Sequence, residues 1–144
     1  MAEFVYNQVQ VVQPNQNVLL DSSIPCNKGY VLHREGAGIV TLRGAANGCN
    51  SFARYQVTFN GNIAIPTGGT VGPISIALAI DGEPVQTSKA IVTPAAVGDY
   101  SNVTSTAIIT VPKCCCYTVA VENTSVDGTN IEVQNANLVV TRIA

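Results

Sequence analysis

Five cysteines are the residues of this chain whose type and spacing come nearest to a chemical motif. Cys26 and Cys49 stand alone in turn-like segments, whereas Cys114, Cys115 and Cys116 are consecutive. Zinc sites use cysteines in closely spaced pairs, and neighbouring side chains of a strand point to opposite faces, so the triplet does not match a metal site. The alternatives are buried free thiols that pack as small hydrophobic groups, or disulfides between the triplet and Cys26 or Cys49.

The odd number of cysteines adds a second expectation. With five cysteines, at least one thiol must stay free or pair with another chain. Cross-links between subunits would suit an exposed and durable assembly.

Catalysis by a nucleophile would have to use His33, the only histidine of the chain. No Gly-x-Ser-x-Gly elbow accompanies it, and it lies beside Arg34 and Glu35, so the sequence predicts a surface or interface histidine. Most carboxylates lie at turns; Asp81 and Glu83 share one, and no loop has the several acids of a calcium site. We therefore expect no enzyme, no cofactor and no metal.

The charge pattern excludes two classes of partner. The formal net charge is -2, and the seven basic residues are scattered along the chain, so no cationic face for nucleic acid is predicted. The N-terminus lacks the basic and apolar segments of a secretory signal. The longest apolar run, at 74–80, has the length of a strand, so no membrane partner is expected.

Alternation of apolar and polar residues predicts strands along nearly the whole chain, with many β-branched residues. A break at Asn60-Gly61 predicts a turn within the fifth candidate, because this dipeptide tolerates positive φ. Turns are also expected at 81–84 and at Asp127-Gly128. The candidate strands are 4–12, 17–20, 29–33, 39–43, 55–59 with its continuation from 63, 74–80, 85–92, 103–111, 116–122 and 131–143.

These elements predict a single all-β domain over residues 1–144. About nine or ten short strands with polar turns are typical of a two-sheet antiparallel sandwich, and a jelly roll is the best topology for that number. No segment has the pattern of a helix.

Charge is scarce in this chain. Charged residues make up 11% of it and hydrophobic residues 47%, against about 25% charged in an ordinary domain. We interpret the neutral surface as buried against copies of the same chain. Aromatic residues are enriched at the centres of interfaces, so the candidate contact residues are Phe4, Tyr6, Tyr55, Phe59 and Tyr117, with a role in the ordinary core as the alternative.

Three segments resemble the tumour-necrosis-factor-like and complement-head-like jelly rolls. They are the opening NQNVLL at 15–20, the penultimate strand and turn YTVAVENTS at 117–125, and the closing strand NANLVVTRI at 135–143. The resemblance implies a compact homotrimer with aromatic and aliphatic residues near its three-fold axis. Bacteria and their phages use such modules as heads of exosporium filaments, and as head fibres and capsid decorations. The chain lacks the collagen-like Gly-x-y stalk of the filament heads.

The expected function is that of a non-enzymatic structural protein, a self-associating jelly-roll subunit on the surface of a larger particle. A phage virion, as capsid decoration or head fibre, is the first expectation for that particle. A spore or cell-surface appendage is the alternative location, and neither needs a Sec signal. A module that binds carbohydrate or a receptor is the alternative function. The predicted partners are copies of the chain, other structural proteins of the particle and, in the alternative, a surface glycan.

Overall fold

Buried and exposed side chains alternate along most of the strands in the computed structural model, which describes residues 2–24, 30–34, 36–44 and 51–143. Within these ranges the chain forms twelve strands. They are β1 Ala2–Tyr6, β2 Gln10–Val12, β3 Ser22–Ile24, β4 Val31–His33, β5 Val40–Arg43, β6 Phe52–Ala64, β7 Ile74–Ile80, β8 Glu83–Pro84, β9 Ala90–Val92, β10 Ser101–Pro112, β11 Cys116–Asn123 and β12 Ile131–Arg142.

The strands form two antiparallel sheets of six. The first sheet has the order β10-β6-β12-β1-β3, with β2 also paired to β12. The second has the order β4-β5-β11-β7-β8, with β9 also paired to β7. The longest ladder joins β10 to β6, from Ser101 opposite Ile63 to Pro112 opposite Phe52. The predicted all-β sandwich of two antiparallel sheets is thus confirmed, with more strands than the nine or ten expected.

The core lies between the two sheets and follows the two-residue period of the strands. On β6 the odd-numbered residues from Ala53 to Ile63 are buried, whereas on β7 all residues from Ile74 to Ala79 are buried and the even-numbered ones pack in the core. The buried hydroxyl of Tyr55 donates to the carbonyl oxygen of Arg43 at 2.5 Å, which satisfies the polar end of an otherwise apolar side chain. The largest fully buried side chains include Phe4, Leu20, Leu42, Tyr55, Phe59, Ile65, Leu78 and Leu138.

The structure corrects the prediction of a turn at Asn60-Gly61. β6 runs through this dipeptide without a break, and Asn60 and Gly61 pair with Thr104 and Val103 of β10. A Cβ at Gly61 would lie 2.9 Å from the ring of Phe59, so the glycine makes room for the buried ring. The neighbouring β12 has a bulge between Gln134 and Asn137, opposite this point.

The predictions near the N-terminus also need correction. The single strand expected at 4–12 is divided into β1 and β2. The strand expected at 17–20 is only an isolated bridge between Asn17 and Glu122. The side-chain amide of Gln10 takes the place of a strand partner there, since its Nε2 donates to the oxygen of Leu19 at 3.0 Å and its Oε1 accepts from the Leu19 N–H at 2.9 Å.

The turn after β7 is confirmed, but the element after it is not a single strand. Asp81 and Gly82 have φ of 52° and 86°, the positive values that a tight hairpin turn requires. The partner strand predicted at 85–92 is β8, a 3-10 turn at Gln86–Ser88 and β9. A second 3-10 turn, Val126–Gly128, includes the predicted Asp127-Gly128 turn. No described helix is long and apolar enough to span a membrane.

Candidate interaction surface

The outward face of the first sheet presents a set of uncharged side chains, which we call the neutral face, and the outward Arg54 and Glu132 lie toward its two ends. Because alternate residues of β6, β10 and β12 point into the core, the residues between them point away from it. All of these are exposed or half-buried. The neutral face consists of Gln56, Thr58, Asn60, Asn62, Asn102, Thr104, Thr106, Ile108, Gln134, Asn135, Asn137 and Val139.

A chain of side-chain amides crosses the neutral face from strand to strand. Nδ2 of Asn102 donates to Oδ1 of Asn60 at 2.9 Å and to Oδ1 of Asn62 at 3.2 Å. Nδ2 of Asn62 donates in turn to Oδ1 of Asn135 at 3.4 Å. Nδ2 of Asn135, which lies in the bulge, donates to Oδ1 of Asn7 at 2.7 Å. These contacts orient planar amide groups on β10, β6 and β12.

Threonines and one carboxylate extend this pattern beside the amides. The hydroxyls of Thr58 and Thr106 lie 3.2 Å apart across the β6–β10 pair. Nδ2 of Asn137 donates to Oε1 of Glu3 at 2.5 Å, so the acidic group at the side of the face is bound to a neutral partner. The polar groups of the face therefore satisfy part of their hydrogen-bonding capacity among themselves, which lowers the cost of removing them from water.

β10 forms one edge of the first sheet and has few of the features that usually protect an edge strand. Its twelve residues include no charged side chain, and its proline is the terminal Pro112. Ile108 on this strand is 61% exposed. Natural edge strands are commonly protected by charges, prolines or bulges, because their free backbone groups can pair with another chain. β10 therefore lacks the usual protection of an edge strand, and it borders the neutral face.

Three of the five aromatic residues predicted at an interface lie in the core of the single chain. Phe4, Tyr55 and Phe59 have 0% exposure and pack in the core of the single chain, which is the alternative that the sequence left open. They have no surface left to offer a partner in this conformation. Tyr6 and Tyr117 are half-buried against the same core, and their role in an interface stays a prediction.

His33 is a half-buried residue at the end of β4. Its ring centroid lies 4.7 Å from that of Phe4, and its Nε2 is 2.9 Å from the carbonyl oxygen of Ala37. It contributes to a shallow cleft of about 420 Å³ with Leu32, Ile39 and other residues of the second sheet. No group of three histidines, cysteines or carboxylates that could hold a metal ion occurs among the described residues.

The cysteines are only partly within the described residues. Cys114, Cys115 and Cys116 are free and exposed at the turn between β10 and β11. The alternative of buried free thiols therefore does not hold for these three. Cys26 and Cys49 lie outside the described residues, and the predicted pairings with them stay predictions.

A larger cleft of about 570 Å³ lies at one end of the sandwich, between the loop at 66–73 and the turn at 126–130. Prolines, glycines, threonines, valines and Asn130 line it. The described side chains that line it include no titratable group.

The carboxyl group of Glu122, on the second sheet, has a raised pKa. Glu122 of β11 is buried, and burial is the main cause that raises the pKa of its carboxyl group above the usual value. The negative charge of Glu83 raises the pKa further. The turn of Glu83 and the strand of Glu122 both lie away from the neutral face, so this group does not place a charge there.

Comparison with solved structures places the architecture among known folds. The globular domain of zebrafish complement 1qA protein superposes with a TM-score of 0.65 at 14% sequence identity, over 99% of this chain and 97% of that one. The chain has the jelly-roll fold. The predicted jelly roll is thereby confirmed, and at this identity the likeness shows the fold alone.

Two further structures are more distant. The sugar-binding protein EclA C-terminal domain matches with a TM-score of 0.42 at 16% identity, over 94% of this chain and 79% of that one. The CBM22-1 xylan-binding domain from Paenibacillus barcinonensis Xyn10C matches with a TM-score of 0.37 at 10% identity, over 99% of this chain and 87% of that one. Neither likeness is close enough to carry an argument. No protein-family model matches the chain, and no curated protein matches it.

Proposed function

We propose that this protein is a non-enzymatic structural subunit that associates with copies of itself through the neutral face and the edge strand β10. The observation that carries the proposal is the run of uncharged Asn, Thr, Gln, Val and Ile side chains on the outward side of β6, β10 and β12. A second copy is the partner that this surface fits best, since it offers the same neutral groups.

The energetics of burial favour such a partner. Covering apolar area contributes about 25 cal/mol per Å² before the costs of association. The amides and hydroxyls of the face already bind one another, so their desolvation costs less than that of unpaired polar groups. The neutral face itself carries no charge that would have to leave water, which is the largest penalty, and the outward Arg54 and Glu132 lie near the ends of their strands.

The finer proposal is a homotrimer on the surface of a larger particle. It rests on the complement-head-like pattern of the sequence and on a charged fraction of only 11%. A phage virion, where the subunit would decorate the capsid or form a head fibre, is our first choice of particle. A spore or cell-surface appendage is the second.

Native mass spectrometry with reductant tests the association directly. The wild-type protein should give a defined oligomer, with a trimer as the expected mass, at micromolar concentration. The double variant Thr58→Arg/Thr106→Arg places two cations on adjacent strands of the neutral face and should be monomeric while keeping its strand content. Thr70→Arg, in the exposed loop at 66–73, is the matched control and should assemble normally. A wild-type monomer at micromolar concentration would sink the proposal.

A second candidate function, glycan binding, is favoured by the chain of amides. Oriented amide groups such as those of Asn60 and Asn102 can donate to and accept from sugar hydroxyls. The neutral face, however, carries no aromatic side chain on which a sugar ring could stack. A glycan array probed with the reduced protein decides between the two candidates: binding that is lost in Asn60→Ala/Asn102→Ala, together with a monomeric mass, would establish the second.

A further inference from the structure

The three exposed cysteines lie on a hairpin turn whose backbone is well defined. Pro112 ends β10, Cys116 begins β11, and the N–H of Cys115 donates to the oxygen of Pro112 at 3.1 Å to close the turn. Cys114 has a φ of 64°, a left-handed conformation that only a few per cent of residues other than glycine adopt. The turn thus places its first cysteine in a conformation that a cysteine seldom takes.

Two neighbouring segments hold this turn in place. The N–H of Lys113 donates to the oxygen of Ser51 at 2.9 Å, and the N–H of Gly44 donates to the oxygen of Cys115 at 2.8 Å. A Cβ on Gly44 would lie only 2.0 Å from the oxygen of Pro112, so this approach requires glycine. The backbone beneath the thiols is therefore fixed by contacts on both sides, at the end of the sandwich where β5 ends and β6 begins.

Three exposed thiols in succession need a chemical explanation, because free cysteine is among the most buried residue types. Adjacent members cannot easily pair with each other, since consecutive Cα atoms are about 3.8 Å apart and an ordinary disulfide needs about 4.4 Å or more. No metal-binding group of three includes them among the described residues. Pairing with Cys26 or Cys49 inside the chain is one use of these thiols, and a partner outside the chain is the other.

We propose that the turn of Cys114, Cys115 and Cys116 is a disulfide cross-linking site that joins copies of this chain. The inference rests on the proposed function, because it takes a second copy as the partner. In any ring with rotational symmetry, equivalent turns lie at the same end of the assembly, so the triplets of all copies are presented together. Three thiols per turn also allow one chain to link to more than one neighbour.

The chemistry is thiol–disulfide exchange with a low-molecular-weight disulfide as oxidant. A thiolate of one copy attacks a sulfur of the small disulfide, forming a mixed disulfide and releasing one small thiol. A thiolate of a second copy then attacks the protein sulfur of that mixed disulfide and releases the second small thiol. In sum, two protein thiols are oxidised to one disulfide, and the small disulfide takes up two electrons and two protons to give two thiols.

The experiment compares three variants treated with oxidised glutathione and separated on a denaturing, non-reducing gel. Cys26→Ser/Cys49→Ser keeps only the triplet and should give dimers and higher species. Cys114→Ser/Cys115→Ser/Cys116→Ser keeps the other two cysteines and should give no such ladder. Adding Cys114→Ser/Cys115→Ser to the first variant leaves Cys116 alone and should stop the series at dimers. Peptide mapping of the wild-type ladder provides the same information without any substitution.

Two results would overturn the inference. One is a triplet-only variant that stays at monomer mobility, with only glutathione adducts or a mass loss of one internal disulfide. The other is a wild-type ladder whose linked peptides exclude all three triplet cysteines.

The variant Thr58→Arg/Thr106→Arg, which should not assemble, distinguishes a failure of the cross-linking inference from a failure of the proposed function. Neighbouring thiols in an assembly have an effective concentration near the millimolar range, so cross-linking of micromolar wild-type protein should be about 100-fold faster than that of the variant. If reduced wild-type protein assembles and no ladder forms, the cross-linking inference fails and the proposed function stands. If reduced wild-type protein is monomeric and both proteins cross-link equally slowly, the proposed function fails.

Discussion

The outward side of β6 in the first sheet is open to solvent, whereas the outward side of β7 in the second sheet is covered by the chain itself. On β6, the outward residues from Arg54 to Asn62 are exposed or half-buried. On β7, the outward Ser75, Ala77 and Ala79 have exposures of 3%, 1% and 1%. The outward side of β7 is therefore covered within the single chain, and the outward side of β6 is not.

The side chains of the two strands explain this difference. Ser75 and its alanine neighbours on β7 are small, and small residues let other parts of the chain approach closely. The turn after β11 does so, since Oγ of Ser75 lies 2.9 Å from Oγ1 of Thr124 and the N–H of Ser75 donates to Oγ of Ser125 at 3.0 Å. The outward side chains of β6 are longer and polar, and they bind each other. The outward side of β7 is thus closed by small residues and a neighbouring turn, whereas the outward side of β6 stays open to solvent.

The largest effect should come from adding the same charge to each face. Ala77→Asp places a carboxylate in a buried position opposite Glu122, so desolvation and repulsion both act against folding. An uncompensated buried charge costs about 3–5 kcal/mol of unfolding free energy. Thr106→Asp on the neutral face should change that free energy by no more than about 0.5 kcal/mol, as is usual for exposed positions.

Urea unfolding followed by circular dichroism, with reductant present, measures both free energies of unfolding. Reduced protein is needed so that cross-links do not contribute. Equal losses in the two variants would show that the two faces are equally open, contrary to the comparison.

The next largest effect should be a difference in unfolding free energy between the alanine variants of two hydrogen-bonded asparagines, Asn123 and Asn102. Nδ2 of Asn123 donates to the oxygens of Val12 and Thr129 at 3.0 Å each, and its Oδ1 accepts from the Ser125 N–H. Asn123 is fully buried, so Asn123→Ala leaves these groups without a partner and should cost about 3 kcal/mol. Asn102→Ala, on the exposed amide chain, should cost at most about 0.5 kcal/mol. Thermal or urea unfolding of the two variants side by side gives the difference, and a similar cost for both would contradict the assignment of Asn102 to an open face.

Local alternation was enough to predict most of the strands, but not their surroundings. β7 was predicted with its observed bounds, because Ile74–Ile80 is a short apolar run between turn residues. The pattern could not show that the outward Ser75 is covered, since that depends on a turn about 50 residues further along the chain. The turn predicted at Asn60-Gly61 failed for a similar reason: a glycine that gives space to a buried ring looks the same in sequence as one that makes a turn.

The candidate interaction surface was harder to predict from the sequence than the fold was. Aromatic residues were the predicted contacts, yet Phe4, Tyr55 and Phe59 fill the core, because the large rings are needed between two sheets that contain no tryptophan. The sequence does carry a signal for the neutral face, which is the spacing of its asparagines. Asn60 and Asn62 are two residues apart on one strand, as are Asn135 and Asn137 in the last strand. The two-residue spacing is that of side chains on the same face, although the bulge at Asn135 alters it on β12.

A smaller effect, a gain in stability, should come from Glu122 on the covered sheet. Because the pKa of Glu122 is raised in the folded protein by burial and by Glu83, its ionisation opposes folding. The full stability is present below the pKa of the unfolded chain and is lost as the pH rises through the folded pKa. Glu122→Gln should therefore be more stable than wild type at pH 7, and the two should converge near pH 4, about the pKa of an unperturbed glutamate.

Urea midpoints at several pH values measure this difference. Glu83→Gln is the matched control, because it removes the repulsion and leaves the burial of Glu122 unchanged. It should give a smaller gain in the same direction. A gain in Glu122→Gln that is independent of pH would contradict ionisation as the cause.

The smallest expected effect is that of salt on self-association, which tests whether the neutral face forms the contact. If copies meet through uncharged side chains, no ion pairs form on association, and added salt has little to screen. The dissociation constant of the reduced wild-type assembly should change by less than about threefold between about 50 and about 500 mM sodium chloride, a range over which the screening length falls from roughly 14 to roughly 4 Å. Analytical ultracentrifugation at each salt concentration measures the constant, and Thr58→Arg serves as a control in which salt should strengthen association by screening the repelling cations. A wild-type assembly that weakens steeply with salt would instead place charged residues in the contact, such as the outward Arg54 of β6 or Glu3 of β1.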